Sequence, residues 1–369
     1  MKHKKNSRGY LDFDEGNYYY NTHVTSVYAK EEQKERFQKL LIIVSVLLLA
    51  AVAILFFANS GAYIPAFIQQ TTPHGHPGNN LPDGTHPYTT VPTRQNYLAE
   101  GNGTGLGGLA LSSEYAVLVD LSTMEVVGSK KADTQIYPAS MTKVMTVLVA
   151  CDLISDLDDT YVIKKSVLNK VPSGASNARL SEHIGRTVTV KDLLYGVSYN
   201  SGANAVLCLL DYFNLSVDEF VHLMNKKVAE IGLTSTRFGG AIGMDAEANQ
   251  TTCREMAAIM AYAMDNPLCR EVFGGEKYIL TYITELSYYH GTLVRTVSGS
   301  MGMSPSTLVK GYTVLAAKSG YETLAEHCLV SYIQNDQTGK QFILVTAHAD
   351  GNKTLPINDL IAILKALEP

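Results

Sequence analysis

From Leu40 to Ala58 the chain reads LLIIVSVLLLAAVAILFFA, 19 residues without a charge and with Ser45 as the one polar side chain. At about 1.5 Å per residue, a helix of this run spans roughly 28 Å, close to the ~30 Å hydrocarbon core of a bilayer. A secretory signal has a shorter apolar core of roughly 7–15 residues and does not usually follow so long a polar stretch. A buried helix of a soluble protein would carry polar punctuation and caps. The run is therefore expected to be a transmembrane helix. Lys34, Arg36 and Lys39 precede it, and the next lysine or arginine is Arg94. This asymmetry predicts a single pass through the cell membrane, with the N-terminus cytoplasmic and everything after residue 58 outside.

The flanks of the run are polar. Residues 1–39 mix eight basic with six acidic side chains and show little hydrophobic periodicity, which predicts a disordered cytoplasmic tail. Residues 59–107, with stretches such as TTPHGHPGNNLPDGTHPYTT, lack the apolar content to fold and read as an extracytoplasmic linker. Its histidines, His74, His76 and His86, have only Asp83 as a nearby carboxylate and read as solvated, so no metal is expected there. A net charge of −5 supplies no basic face for nucleic acid. The five cysteines are an odd number without a C-x-x-C spacing. Cys151, Cys208 and Cys328 sit in apolar runs, so buried free thiols are expected rather than a zinc site.

A folded domain is expected from Gly108 to the end. Tyr115–Asp120 and Glu125–Val127 flank a short turn and predict a β-hairpin. Ser140–Leu153 has helical spacing, with Val144, Val147, Leu148 and Cys151 on one side. Residues 155–270 carry several helical patterns and little strand signal. Strand patterns return at Tyr312–Lys318, Cys328–Ile333 and Phe342–His348, followed by an amphipathic helix at Ile357–Leu367. This order predicts an α+β fold, an antiparallel sheet flanked by helices plus an all-helical subdomain.

Three short motifs carry the chemistry. Ser140-Met-Thr-Lys143 opens the first helix, and residues three apart share a helical face, so the amine of Lys143 can reach the hydroxyl of Ser140. For Lys143 to take the serine proton it must be neutral, which requires desolvation or a second cation nearby. Lys318-Ser319-Gly320 lies on a strand on which Lys318 and Gly320 face the same way. The glycine lets a bound chain approach the strand, and the lysine offers a fixed charge to a carboxylate. Between them, DLLYGVSYNSGANAVLCLLDYF reads as helix, tight turn, helix, with Ser201 at the turn and Ser198 in the last turn of the first helix.

The order S-x-x-K, S-x-N, K-T/S-G is the signature set of penicillin-binding proteins and class A β-lactamases. The chain further resembles the D-alanyl-D-alanine carboxypeptidase family of low-molecular-weight penicillin-binding proteins. The likeness runs through AVLVDLSTMEVVGSKKADTQIYPASMTKVMTVLVA, VTVKDLLYGVSYNSGANAV, HLMNKKVAEIGLTSTRFGGAIGMDAEANQTTCREMAAIM and AAKSGYETLAEHCLVS, over about residues 110–369.

That resemblance implies a β-lactamase/transpeptidase-like fold, preceded here by the transmembrane helix, and no cofactor. It implies Ser140 as the acylated nucleophile, Lys143 as its base and Ser201 as the second serine. Lys318, Ser319 and Gly320 would line the carboxylate-binding strand, and the backbone N–H groups of Ser140 and Tyr321 would form the oxyanion hole. The partners it implies are peptidoglycan stem peptides ending in D-Ala-D-Ala, with β-lactams as covalent inhibitors. The family spacing places Ser201, not Ser198, in the second motif, and its asparagine falls on Ala203, with Asn204 one residue on as the candidate substitute. A non-catalytic peptidoglycan-binding protein, an endopeptidase and a class A β-lactamase are the competing readings. The last needs a deacylating glutamate, for which Glu247 lies in the right region without the expected Glu-x-x-Leu-Asn spacing.

Overall fold

Three strands read as near-continuous apolar runs, AVLV, CLVSYI and FILVTA, because both of their faces are covered. The computed structural model describes residues 97–274, 277–283, 288–294 and 309–367. The expected tail, the Leu40–Ala58 run and the linker as far as residue 96 lie outside the described residues. Among the described residues no helix is long and apolar enough to cross a membrane.

The main sheet has the order β1-β3-β2-β12-β11-β10. Its strands are β1 (Thr104–Gly105), β2 (Ser113–Asp120), β3 (Glu125–Lys130), β10 (Tyr312–Glu322), β11 (Glu326–Asn335) and β12 (Gln341–Ala349). β2 and β3 form the expected hairpin, and β10, β11 and β12 form a meander that joins β2 antiparallel. Alternation divides each central strand between two cores. Val117, Val119, Val330, Ile343 and Val345 enter the larger one, while Ala116, Leu118, Leu329, Ile333 and Leu344 enter the smaller. The smaller core is closed by the C-terminal helix Leu355–Lys365 through Ile357, Leu360, Ile363 and Leu364. Asp359 of that helix is buried and accepts from Ser112 N at 2.9 Å and Ser113 N at 2.7 Å, which fixes the helix to the start of β2.

The larger core is built around α1 (Lys143–Leu153), in which every residue from Lys143 to Cys151 is buried. Around it lie α2 (Lys165–Leu168), α3 (Val190–Tyr199), α4 (Ala203–Tyr212), α5 (Val217–Ile231), α6 (Cys253–Asp265) and α7 (Pro267–Phe273); the C-terminal helix is α8. Side-chain caps start several of these helices. Thr189 and Asp192 form a capping box for α3, as Ser216 and Glu219 do for α5. The five cysteines are free and buried, as expected, with Cys151 Sγ on α1 3.5 Å from Cys269 Sγ on α7.

Two expectations need correction. The subdomain is not all-helical: β5 (Thr160–Val162), β6 (Thr187–Thr189), β8 (Lys277–Ile283) and β9 (Tyr288–Val294) form a second sheet, and β4 (Gln135–Ile136) pairs with β7 (Thr251–Thr252). β5 and β6 are three residues each, too short to carry a period. The folded body also begins before Gly108. Tyr97 and Ala99 are buried, β1 pairs with β3, and the Arg254 guanidinium donates to the Ala99 and Gly101 carbonyls at 2.8 and 2.9 Å. Composition alone hides this, because a few apolar side chains, Tyr97, Ala99 and Leu106, and backbone hydrogen bonds anchor an otherwise polar, glycine-rich stretch.

Candidate active site

The first serine stands at a bend. Ala139 takes a left-handed backbone (φ 44°), and a 3-10 turn over Ala139–Thr142 then feeds α1. A non-glycine residue there is strained, and such residues persist where their surroundings hold them. Lys143, 2% exposed, comes within 3.0 Å of Ser140 Oγ and donates to the carbonyl of Ile242. Burial brings its pKa down from 10.5 to about 8. The charged groups that act on it, Glu247 and Glu322, push the other way. Desolvation is therefore what moves Lys143 toward the neutral form, against the pull of both carboxylates.

The second pair sits where α3 ends. Ser201 has φ 54° in the turn between α3 and α4 and is 7% exposed. Lys318, 1% exposed, donates from Nζ to Ser201 Oγ at 3.0 Å and to the Ser319 carbonyl at 2.7 Å. Lys318 belongs to β10, which ends the described sheet, so its second edge is open to the 3-10 turn. Gly320 faces that turn. A Cβ on it would lie 2.9 Å from Ser140 N, 3.0 Å from Ala139 Cβ and 2.8 Å from Cys328 Sγ. Only glycine lets the strand and the Ser140 turn come this close. Lys318 and Gly320 are two residues apart on one strand face, so the two serine–lysine pairs flank roughly 7 Å of strand edge. Ser319 is half-buried, and Tyr321 is 57% exposed with its ring stacked on His327.

Asn204 does not face this cleft. It is fully buried, with Oδ1 accepting from Ala178 N at 2.9 Å and Nδ2 donating to Asn177 Oδ1 at 2.7 Å. The expected contact with substrate is corrected to a tether for the segment that passes over the start of α4. The roughly 100° turn per helical residue separates it from Ala203, which is also buried. Ser198 lies inside the last turn of α3 with its hydroxyl buried and unpaired, so the literal S-x-N at Ser198 is not part of the cleft.

A third element was not read from the sequence as part of the site. The loop Gly239–Asn249 carries the Ile242 carbonyl to Lys143. Asn249 Oδ1 accepts from Gly239 N at 2.8 Å and Gly240 N at 3.0 Å, and its Nδ2 donates to Thr142 Oγ1 at 3.3 Å. Asp245 accepts from Leu324 N at 2.9 Å, joining the loop to the turn between β10 and β11. The glycine-rich spelling GGAIGMDAEAN was the available signal.

A serine, a buried amine at hydrogen-bond distance, a second serine–lysine pair and an open strand edge make a site suited to acyl transfer to a serine. A profile of the family described as D-alanyl-D-alanine carboxypeptidase matches residues 104–351. The chain belongs to that family. Among its relatives, the D-alanyl-D-alanine carboxypeptidase DacF of Bacillus subtilis is 29% identical over 238 residues, 63% of this chain and 57% of that protein. The carboxypeptidase DacC of Escherichia coli is 33% identical over 148 residues, 39% of this chain and 37% of that protein. This chain thus spans about half the length of the curated relatives it matches. The crystal structure of the Streptomyces K15 DD-transpeptidase superposes with a TM-score of 0.62 at 26% identity, covering 70% of this chain and 97% of that one. The α+β fold of this family is therefore the fold of the described residues.

Proposed function

We propose that the chain is a serine-type D-Ala-D-Ala carboxypeptidase that removes the terminal D-alanine from peptidoglycan stem peptides. The observation that carries this reading is the buried Lys143 amine 3.0 Å from Ser140 Oγ, with its pKa lowered to about 8. The neutral amine takes the Ser140 proton while Oγ attacks the carbonyl carbon of the penultimate D-alanine. The oxyanion is received by the N–H groups of Ser140 and Tyr321. Collapse breaks the peptide bond, and the departing D-alanine amine takes the proton that Lys143 received, relayed by way of Ser201, whose hydroxyl receives a hydrogen bond from Lys318. Lys318 with Ser319 and Gly320 holds the substrate carboxylate and leaves room for its backbone along β10. Water then hydrolyses the Ser140 ester and restores the enzyme. A β-lactam acylates Ser140 by the same steps and acts as a covalent inhibitor.

The reading extends to placement. Leu40–Ala58 anchors the chain in the cell membrane in one pass, with residues 1–39 cytoplasmic and the catalytic domain outside, facing the cell wall. The length of the apolar run and the basic residues before it support this.

Release of D-alanine from a diacetyl-Lys-D-Ala-D-Ala peptide tests the activity. Wild-type protein should release it, and Ser140→Ala should release less by a factor of at least ~10³. A folded wild-type protein that binds the peptide without releasing D-alanine would instead identify a peptidoglycan-binding module.

A further inference from the structure

Glu247, considered from sequence only as a candidate deacylating base, has its carboxylate already engaged. Oε2 accepts from Gly243 N at 2.5 Å, Met244 N at 3.0 Å and Asn249 Nδ2 at 3.2 Å, while Oε1 accepts from Ile242 N at 3.4 Å. The loop closes around this side chain. A Cβ on Gly239 would lie 1.7 Å from the Glu247 carbonyl oxygen, so the backbone can pass there only as glycine, and one on Gly240 would press on the Glu247 side chain. A carboxylate with this many donors is committed to holding backbone and is not free to activate a water.

What it holds is adjacent to the chemistry. The residue whose N–H meets Oε1 is Ile242, and the carbonyl of Ile242 accepts from Lys143 Nζ. A neutral amine has two N–H donors and one lone pair. Committing one N–H to a fixed carbonyl limits the rotation of Nζ and brings the lone pair toward Ser140 Oγ, 3.0 Å away. Asn249, which donates to Glu247, also reaches Thr142 Oγ1 between Ser140 and Lys143. The same carboxylate thus braces the loop against Thr142 and Lys143, the C-terminal half of the S-x-x-K turn.

We propose that Glu247 is the positioning residue of the site: it fixes the Gly239–Asn249 loop so that the Ile242 carbonyl aims the Lys143 amine at Ser140. The assignment rests on the reading of Lys143 as the base. Glu247 also acts through its charge. Two carboxylates bear on Lys143, Glu247 from the loop and Glu322 from β10, and Asp245 bears on Glu322 in turn. Both carboxylates favour the ammonium, so removing one of them lowers the pH at which the amine becomes neutral.

The test is the pH dependence of acylation by a fluorescent penicillin, measured on the full chain as wild type, Glu247→Gln and Glu247→Asp. The glutamine variant loses the charge, and its rising limb should move to lower pH by about 0.5–1 unit. The aspartate variant keeps the charge but withdraws by one methylene. Its limb should stay in place while the plateau rate falls about tenfold, because the carbonyl no longer fixes Nζ. A merely structural role would not separate these two effects. A glutamine limb that coincides with the wild-type limb, or an aspartate plateau at the wild-type rate, would overturn the assignment. If the glutamine variant does not fold, the aspartate plateau decides alone. A wild-type protein that forms no adduct would instead overturn the proposed function, so the two failures are told apart by the wild-type arm.

Discussion

Burying Lys143 beside a serine costs stability that a leucine at the same place would not. The strain at Ala139 and Ser201, two non-glycine residues held left-handed beside or at the two serines, adds to that cost. Costs of this kind at adjoining residues are expected where geometry serves chemistry. Asn204 is the contrasting case, a polar side chain whose hydrogen bonds are all spent inside the fold. Asn204→Ala leaves the Ala178 N–H unpaired in the interior and should cost about 1–3 kcal/mol of stability, read as a lower midpoint in urea or heat. A substrate contact would behave differently, lowering kcat/KM with an unchanged unfolding midpoint. The three-residue spacing of Ser140 and Lys143 and the strand pattern around Lys318 were legible in the sequence, and the turn signal together with the family spacing picked Ser201. The sequence could not tell that Asn204 turns inward, since one residue of helical rotation decides that and only packing sets it.

At the scale of elements, the site is the meeting of a helix start, an inter-helix turn, a strand edge and a loop. The first three were legible. The fourth was not, because the contribution of the Gly239–Asn249 loop is a backbone carbonyl, which any residue type supplies. The hairpin β8–β9 was also missed, although YILTYI and YYHGTLV are rich in β-branched and aromatic residues. α1 was legible from its apolar spacing alone, since it is buried from Lys143 to Cys151 and no polar face marks its period. The C-terminal helix α8 shows how a single buried side chain fixes an element. Asp359 serves both Ser112 N and Ser113 N, and Asp359→Ala should destabilise the domain by about 2–4 kcal/mol. Because Asp359 lies across the sheet from the cleft, penicillin acylation below the new melting point should keep its wild-type rate. A variant with wild-type stability would show that α8 is held by its apolar stripe alone.

For the whole molecule, the two cores divide the labour. The smaller, closed by α8, backs the sheet. The larger surrounds α1, which opens with the buried Lys143; the second buried lysine, Lys318, lies on β10. The family likeness and the fold lie in the described residues, whereas the proposed anchor rests on the charge and length of a segment outside them. The proposed chemistry stands or falls on the acylation of Ser140. It is tested most directly by incubating the purified protein with benzylpenicillin, digesting it and mapping the added mass. One stoichiometric penicilloyl group is expected on the peptide containing Ser140, and none in Ser140→Ala. An adduct on the peptide containing Ser201, or one that survives in Ser140→Ala, would contradict it.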